Sequence, residues 1–380
     1  MGGILTLVLL AFCIILHEYG HYLAARFKGI GVSEFFVGFG PKLYSFKRNN
    51  TEYGVKAILL GGYVKIPGMD QDEEVPGYRE DELFHTAKWQ NKLLISSSGI
   101  VINLLLAFCI LLIVLFTVGI SYPGLEIDSL GESVSQREDA PSVEAGLKPG
   151  DILTSFNGVS LTDWDQLVEL IEKNPSNNVE IKYMRNNKIY TTTVHLDERL
   201  VDNSKNGYLG VSPKIINDKV SIYKAVTNSL MIVFNMIELS IKGIITLFTP
   251  SNLYTLAGGL FGNFVPPEIR PLSPVGLAQA GQAIGNTGFV NVLSLLAFVN
   301  VFLAVFNSIP IIPLDGGRVV LALFEGLTGK KVSDKKLIPL ATLVILIFIF
   351  LGVTALYLDI TQPIKLWVKE DYPMKYLSVK

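Results

Sequence analysis

Residues 4–25 read Ile-Leu-Thr-Leu-Val-Leu-Leu-Ala-Phe-Cys-Ile-Ile-Leu-His17-Glu18-Tyr19-Gly20-His21-Tyr22-Leu23-Ala24-Ala25. A run of about 20 mostly apolar residues is long enough to cross a bilayer as a helix, yet this one carries two imidazoles and a carboxylate. On a helix, residues four apart share a face, so His17 and His21 can approach one ion at about 2 Å from each ring nitrogen. Glu18 lies beside that pair without having to ligate. In zinc hydrolases this spacing gives two metal ligands and a general base. An ionisable group at bilayer depth costs at least about 2.5 kcal/mol on insertion scales, which makes it a functional candidate. The bland alternative is a chance occurrence in a soluble core helix. Against it, two of the chain's 4 histidines fall in this one motif.

The rest of the composition supports a membrane reading. Of 380 residues, 49% are hydrophobic and only 17% charged, with a mean hydropathy of +0.42. A soluble domain holds about 25% charged residues. The net charge of −2 supplies no basic field for nucleic acid. The two cysteines, Cys13 and Cys109, lie in apolar runs without metal-ligand spacing and read as buried small hydrophobes. The first apolar run lacks a basic leader and a small-x-small exit, so it is expected to be retained as a helix rather than cleaved.

Three runs reach spanning length: 4–25, 93–120 and 337–358. A fourth, 289–310, carries Asn291, Asn300 and Asn307 and is expected to face protein or a cavity, because an unpaired amide in hydrocarbon is costly. The expected fold is therefore a polytopic α-helical membrane protein with about four transmembrane helices. Residues 1–30 form the first helix, with the metal motif. Residues 31–92 form a β-loop region in which alternating apolar and polar residues around an Asn49-Asn50 turn predict a membrane-associated β-hairpin sheet. That sheet runs into Gly61-Gly62-Tyr63-Val64, where two glycines permit close backbone approach and a free strand edge could accept a partner strand. An ordinary surface sheet is the alternative.

The second helix covers 93–120. Residues 121–213 turn polar and are long enough for a small inserted α+β domain. Residues 214–288 read as an amphipathic and linker region, with 220–248 fitting an interfacial helix better than a clean span and 249–288 reading as Gly- and Pro-rich loop with room for short helical pieces. Residues 289–380 hold the third and fourth helices.

Two histidines leave a catalytic zinc site one protein ligand short. The best candidate follows the Asn-bearing run, in Asn307-Ser-Ile-Pro310-Ile-Ile-Pro313-Leu-Asp315-Gly316-Gly317. Prolines stop the helix there and glycines allow close approach to a neighbour. Taken alone, Asp315 reads equally well as a cap for the helix predicted over 316–327. In the second helix Gly99-Ile100-Val101-Ile102-Asn103 leaves two readings open, Asn103 lining the site or Gly99 serving helix packing.

Two resemblances follow from these motifs. Glu144-Ala-Gly-Leu-Lys-Pro-Gly-Asp151-Ile-Leu153 with Asn157-Gly158 resembles bacterial PDZ domains, which implies capture of peptide ends or strands by β-augmentation. The ordered pair of HExxH and Asn-x-x-Pro-x-x-Pro-Leu-Asp-Gly resembles the site-2 proteases, in the regulator-of-sigma branch with a single PDZ domain. That resemblance implies Zn2+ held by His17, His21 and Asp315, with Glu18 as base. It further implies substrate-backbone contacts at Asn307 and along Gly61, Gly62, Tyr63 and Val64. Some relatives carry two PDZ domains and a proline at the position of Ile100, and this chain has neither.

The implied activity is hydrolysis of peptide bonds within or near the membrane segments of single-span proteins, with anti-sigma factors or signal-peptide remnants as substrate types. A membrane metal carrier or receptor using the same cluster is the rival reading. The basic loop between the last two helices, with Arg318, Lys330, Lys331, Lys335 and Lys336, predicts a cytoplasmic position. This would make the chain a multi-pass cell-membrane protein in contact with lipid, with its active site toward the cytoplasm and the PDZ-like domain outside.

Overall fold

A computed structural model describes residues 2–69, 77–132, 139–201, 204–285, 288–332 and 334–363. The stretch 69–82 reads from its acidic residues as a solvated connection, and its residues 70–76 lie outside the described residues. The chain divides into two compact units, one built from Met1–Val114 and Val226–Leu366 and the other from Leu115–Ala225.

The first unit opens with helix α1 (Gly2–Phe27), the antiparallel strands β1 (Glu34–Arg48) and β2 (Thr51–Lys65), and helix α2 (Trp89–Thr117). Asn49 and Asn50 adopt φ of 49° and 59°, the two left-handed residues that a tight hairpin of this hand requires. The strands are bent, so residues 34–37 of β1 pair on one side with 52–55 and on the other with 62–65. The outcome is a four-rung sheet in which the Gly62–Lys65 rung is an edge.

Helices α1 and α2 approach closely at glycines, as membrane helices do at small residues. A Cβ on Gly20 would stand 2.8 Å from Ile102 Cγ1 and 3.0 Å from the Ser98 carbonyl oxygen.

The second unit carries strands β3 (Ile120–Leu130), β4 (Ile152–Phe156), β5 (Val159–Ser160), β6 (Asn178–Arg185), β7 (Lys188–His195), β8 (Asp197–Val201), β9 (Ser204–Tyr208) and β10 (Val211–Asp218), with helices α3 (Pro141–Glu144) and α4 (Trp164–Glu172). Its main sheet runs in the order β10-β3-β4-β6-β7, with β5 beside β4. Leu153, Phe156, Ile181 and Leu196 are buried against Trp164, Leu167 and Ile171 on the apolar stripe of α4. Asp163 caps α4, accepting the Gln166 N–H at 2.8 Å. Asp151, almost fully buried, accepts two hydrogen bonds from Arg185 at 2.6 and 2.7 Å and another from the Lys148 N–H at 2.8 Å.

The first unit resumes through α5 (Ile222–Leu247), α6 (Pro250–Gly259), α7 (Pro274–Gly285), α8 (Phe289–Asn307), α9 (Asp315–Thr328) and α10 (Asp334–Thr361). By length and composition, α1, α2, α5, α8 and α10 are each apolar enough to cross a membrane, which makes five candidates where the sequence reading expects four. The direction of α8 relative to α1 bears on the difference. Gly285, just ahead of α8, lies against Gly2, with a Cβ there 3.0 Å from Gly2 Cα. Farther along, the Asn300 amide nitrogen is 3.2 Å from Cys13 Sγ. Asp315, past the end of α8, then reaches His17 and His21. The two helices therefore run parallel.

Two local readings need correction. Cys109 is exposed on α2, where only Cys13 was packed inside as expected; on an apolar span an exposed face can meet lipid, which accepts a thiol without burial in protein. The 249–288 stretch, expected as loop with short helical pieces, is more helical than that, with α6 and α7 filling much of it. Glycines that look like breakers there are packing positions: a Cβ on Gly281 would meet Thr6 Oγ1 at 2.1 Å, and one on Gly276 would meet Asp359 Oδ2 at 2.3 Å.

Candidate metal centre

His17 and His21 lie one turn apart on α1 and are both buried. Nε2 of His21 stands 3.3 Å from Nε2 of His17, and each is 3.2 Å from Oδ2 of Asp315. These three atoms outline one face of a tetrahedron. Zinc–nitrogen and zinc–oxygen bonds of about 2.0–2.1 Å require ligand atoms roughly 3.3 Å apart. The spacing fits a zinc ion, with a fourth position left for a small molecule. Among the described residues this is the one group of three such side chains gathered closely enough to hold a metal.

The backbone around Asp315 explains how a residue 294 positions from His21 arrives there. After α8 ends, the chain turns through Ser308–Leu314 and starts α9 at Asp315. A Cβ on Gly316 would sit 2.3 Å from the Ser308 carbonyl oxygen, and one on Gly317 2.6 Å from Ile311 C. Only glycine lets the first turn of α9 fold back on the loop. The capping alternative is not what the geometry gives, since Leu314 is the N-cap residue and no side-chain cap is made.

His21 is oriented from behind. Its Nδ1 donates to the Ile95 carbonyl oxygen on α2 at 2.7 Å, which leaves Nε2 with a lone pair available to a metal. A backbone carbonyl has no sequence signature, so this contact was not foreseeable. Nδ1 of His17 has no hydrogen-bond partner among the described residues.

Gly99 of α2 is the floor of the site. A Cβ there would lie 2.4 Å from His21 Nε2 and 2.7 Å from His17 Nε2, so the space belongs to the imidazoles. One turn later, Asn103 is 1% exposed, and neither atom of its amide has a partner among the described residues.

Glu18 faces the sheet. Its Oε2 accepts a hydrogen bond from the Val64 N–H at 3.2 Å, so the carboxylate beside the histidines touches the edge rung of β2. Gly61 and Gly62 pack on the same helix, where a Cβ on Gly61 would stand 3.2 Å from Ile14 Cγ2 and one on Gly62 3.6 Å from Ile15 Cγ1. Tyr63 anchors the rung from the other side, donating its hydroxyl to Glu34 and accepting Lys56 Nζ at 2.9 Å. Burial and the neighbouring Glu34 carboxylate hold the Tyr63 phenol well above its usual range, so it remains a donor. Asn307, by contrast, is half-buried at the end of α8 and makes no hydrogen bond through its side chain to the described residues.

Fold and site together define a class, a helical membrane protein in which two histidines and one aspartate could hold a metal with a glutamate beside them. The family model described as Peptidase family M50 matches residues 5–351. The candidate zinc metalloprotease all3971 of Nostoc is 29% identical, covering 88% of this chain and 89% of its own. Zinc metalloprotease Rip1 of Mycobacterium tuberculosis is 28% identical over 96% of this chain and 98% of its own. Membrane metalloprotease ARASP of the Arabidopsis thaliana chloroplast is 27% identical over 93% and 77%. Among solved structures, the PDZ domain of an SdrC-like protein from Listeria innocua is 23% identical, covers 24% of this chain and 92% of its own, and has a TM-score of 0.20. The chain belongs to peptidase family M50, the site-2 proteases, and is a multi-pass membrane zinc metalloprotease.

Proposed function

We propose that the protein hydrolyses peptide bonds within or near the membrane segments of single-span proteins, of the anti-sigma or signal-peptide-remnant type. The observation that carries this reading is the hydrogen bond from Val64 N–H to Glu18. It brings a strand edge and a carboxylate to one point beside three candidate metal-ligand atoms. A peptide bond inside a helix is shielded, because its carbonyl is hydrogen-bonded and water is absent. Cleavage therefore needs substrate in extended form, and a strand edge is the element that binds extended backbone.

In this reading His17, His21 and Asp315 hold zinc, and the Ile95 carbonyl keeps His21 in the tautomer that ligates. Zinc supplies Lewis acidity toward a water and a peptide carbonyl. Glu18 takes the proton from that water on a carboxylate oxygen and returns it to the leaving nitrogen. The outward backbone groups of Gly61, Gly62, Tyr63 and Val64 pair with the substrate strand. Asn103, buried with its amide unpaired, and Asn307, at the mouth of the loop, hold substrate backbone. The PDZ-like unit binds peptide ends or strands.

The parallel run of α1 and α8 supports four crossings rather than five. Parallel helices need an odd number of crossings between them. With α2 one such crossing, α5 then lies along the interface instead of passing through. The basic residues between the last two spans support a cytoplasmic side for the metal centre and an outer side for the PDZ-like unit. The rival carrier reading gains nothing here, because a carrier gives no reason for Glu18 to meet a strand edge.

The test is to supply the purified protein with single-span membrane substrates and map the cuts by mass spectrometry. Cuts inside or bordering the membrane segment are expected. Cuts confined to the substrates' soluble domains would overturn the proposal.

A further inference from the structure

A cavity of about 270 Å³ lies in the first unit, apart from the metal ligands. Its wall is apolar at Leu321, Ala322, Leu337, Ile338 and Ala341, but it also carries Lys92, Arg318 and Lys331 against a single carboxylate, Glu325. Glu325 is already committed, accepting Lys92 Nζ at 2.7 Å in a largely buried ion pair. Lys331 Nζ donates to the His85 carbonyl oxygen at 2.8 Å and has no ion pair among the described residues. Arg318, half-buried, has neither ion pair nor hydrogen bond through its side chain among the described residues. Nδ1 of His85, on the same wall, is buried and unpartnered.

Three cations against one carboxylate leave two positive charges in excess around an apolar hollow. A half-buried guanidinium without an anion is costly, and its planar fork suits the oxygens of a phosphate. The cavity's place in the fold says where that phosphate comes from. Lys92 sits in the first turn of α2, and Leu337, Ile338 and Ala341 open the apolar run of α10. Both apolar runs begin at this level, which in a bilayer corresponds to the lipid headgroups. Trp89, against which a Cβ on Gly326 would press at 2.6 Å, is the aromatic residue favoured at that boundary.

We propose that this cavity binds the phosphate of an anionic phospholipid, with Arg318 and Lys331 on the phosphate oxygens and the acyl end along Leu337, Ile338 and Ala341. The volume suits a phosphate and its glycerol rather than a whole lipid. Because Ile312 and Pro313 line the same cavity and Asp315 follows them, the bound lipid braces the loop that carries the third metal ligand.

Native mass spectrometry of the full chain, equilibrated with equal phosphatidylglycerol and phosphatidylcholine, tests this. One phosphatidylglycerol should be retained in preference. Arg318→Gln should reduce that preference by about fivefold, as should Lys331→Gln at an exposed position, whereas Lys330→Gln should not. A far-ultraviolet circular dichroism spectrum like that of the wild type shows that the fold of the variants is intact. Equal retention of the two lipids, or a preference that survives both Arg318→Gln and Lys331→Gln, would overturn the proposal. So would full displacement by soluble glycerol phosphate at equal concentration, which would assign the site to a free phosphate ester.

Discussion

Gly99 and His21 lie so close that a Cβ on the glycine would stand 2.4 Å from the nitrogen that faces the metal position. A single methyl group at residue 99 therefore competes with the ion for one space. Gly99→Ala should lower zinc affinity by roughly 10–100-fold, in the range seen when the surroundings of a ligand are disturbed. Zinc per chain by elemental analysis checks it. Gly352→Ala, on α10 with nothing within 4 Å of its Cβ, should keep wild-type zinc.

Asp315 should matter to metal content as much as the histidines do. Asp315→Ala leaves two ligands, and zinc should be lost on dialysis against a mild chelator that the wild type withstands. If Asp315 merely capped α9, its removal would cost about 1 kcal/mol of helix stability and leave zinc in place.

The Val64 N–H is a backbone group, so it can be removed only by proline. Val64→Pro should slow cleavage by roughly 10–100-fold, the worth of a hydrogen bond to a charged group, while zinc content stays constant. Val64→Ala keeps the N–H and should retain most activity. Equal loss in both variants would mean that the side chain, and not the edge, was needed.

Arg185→Ala should loosen the second unit by about 3–5 kcal/mol, because it strips the partner from a carboxylate that is 1% exposed. Hydrogen exchange should rise in β4 and β6, which carry Asp151's neighbour and Arg185. Zinc content should not change.

The local chemistry of the chain was readable where it was written in side chains of fixed spacing. The i, i+4 histidines and the Asn49-Asn50 turn rest on short-range rules, and the structure stacks the two imidazoles on one face of α1 and closes a hairpin at the asparagines. What was hidden depends on neighbours distant in sequence. The glycines of α7 signal loop when read singly, yet serve close packing against Thr6 and Asp359. The Ile95 carbonyl and the Val64 N–H are main-chain groups that any residue type supplies. The direction of α5 through or along the membrane was not legible either, since its mix of apolar residues with Asn228, Asn235, Glu238 and Lys242 satisfies both. Parallel packing of α1 and α8, a tertiary fact, bears on that choice. The pairing of Lys92 with Glu325 was equally invisible, because the two residues are 233 positions apart.

The central claim is that Glu18 acts as base beside a zinc held by His17, His21 and Asp315. The direct measurement is zinc content and cleavage rate, on the same samples, for wild type and Glu18→Gln. The account predicts full zinc in Glu18→Gln and a cleavage rate lower by about 100- to 10,000-fold. Glu18→Gln cutting a membrane substrate at the wild-type rate with zinc in place would contradict it.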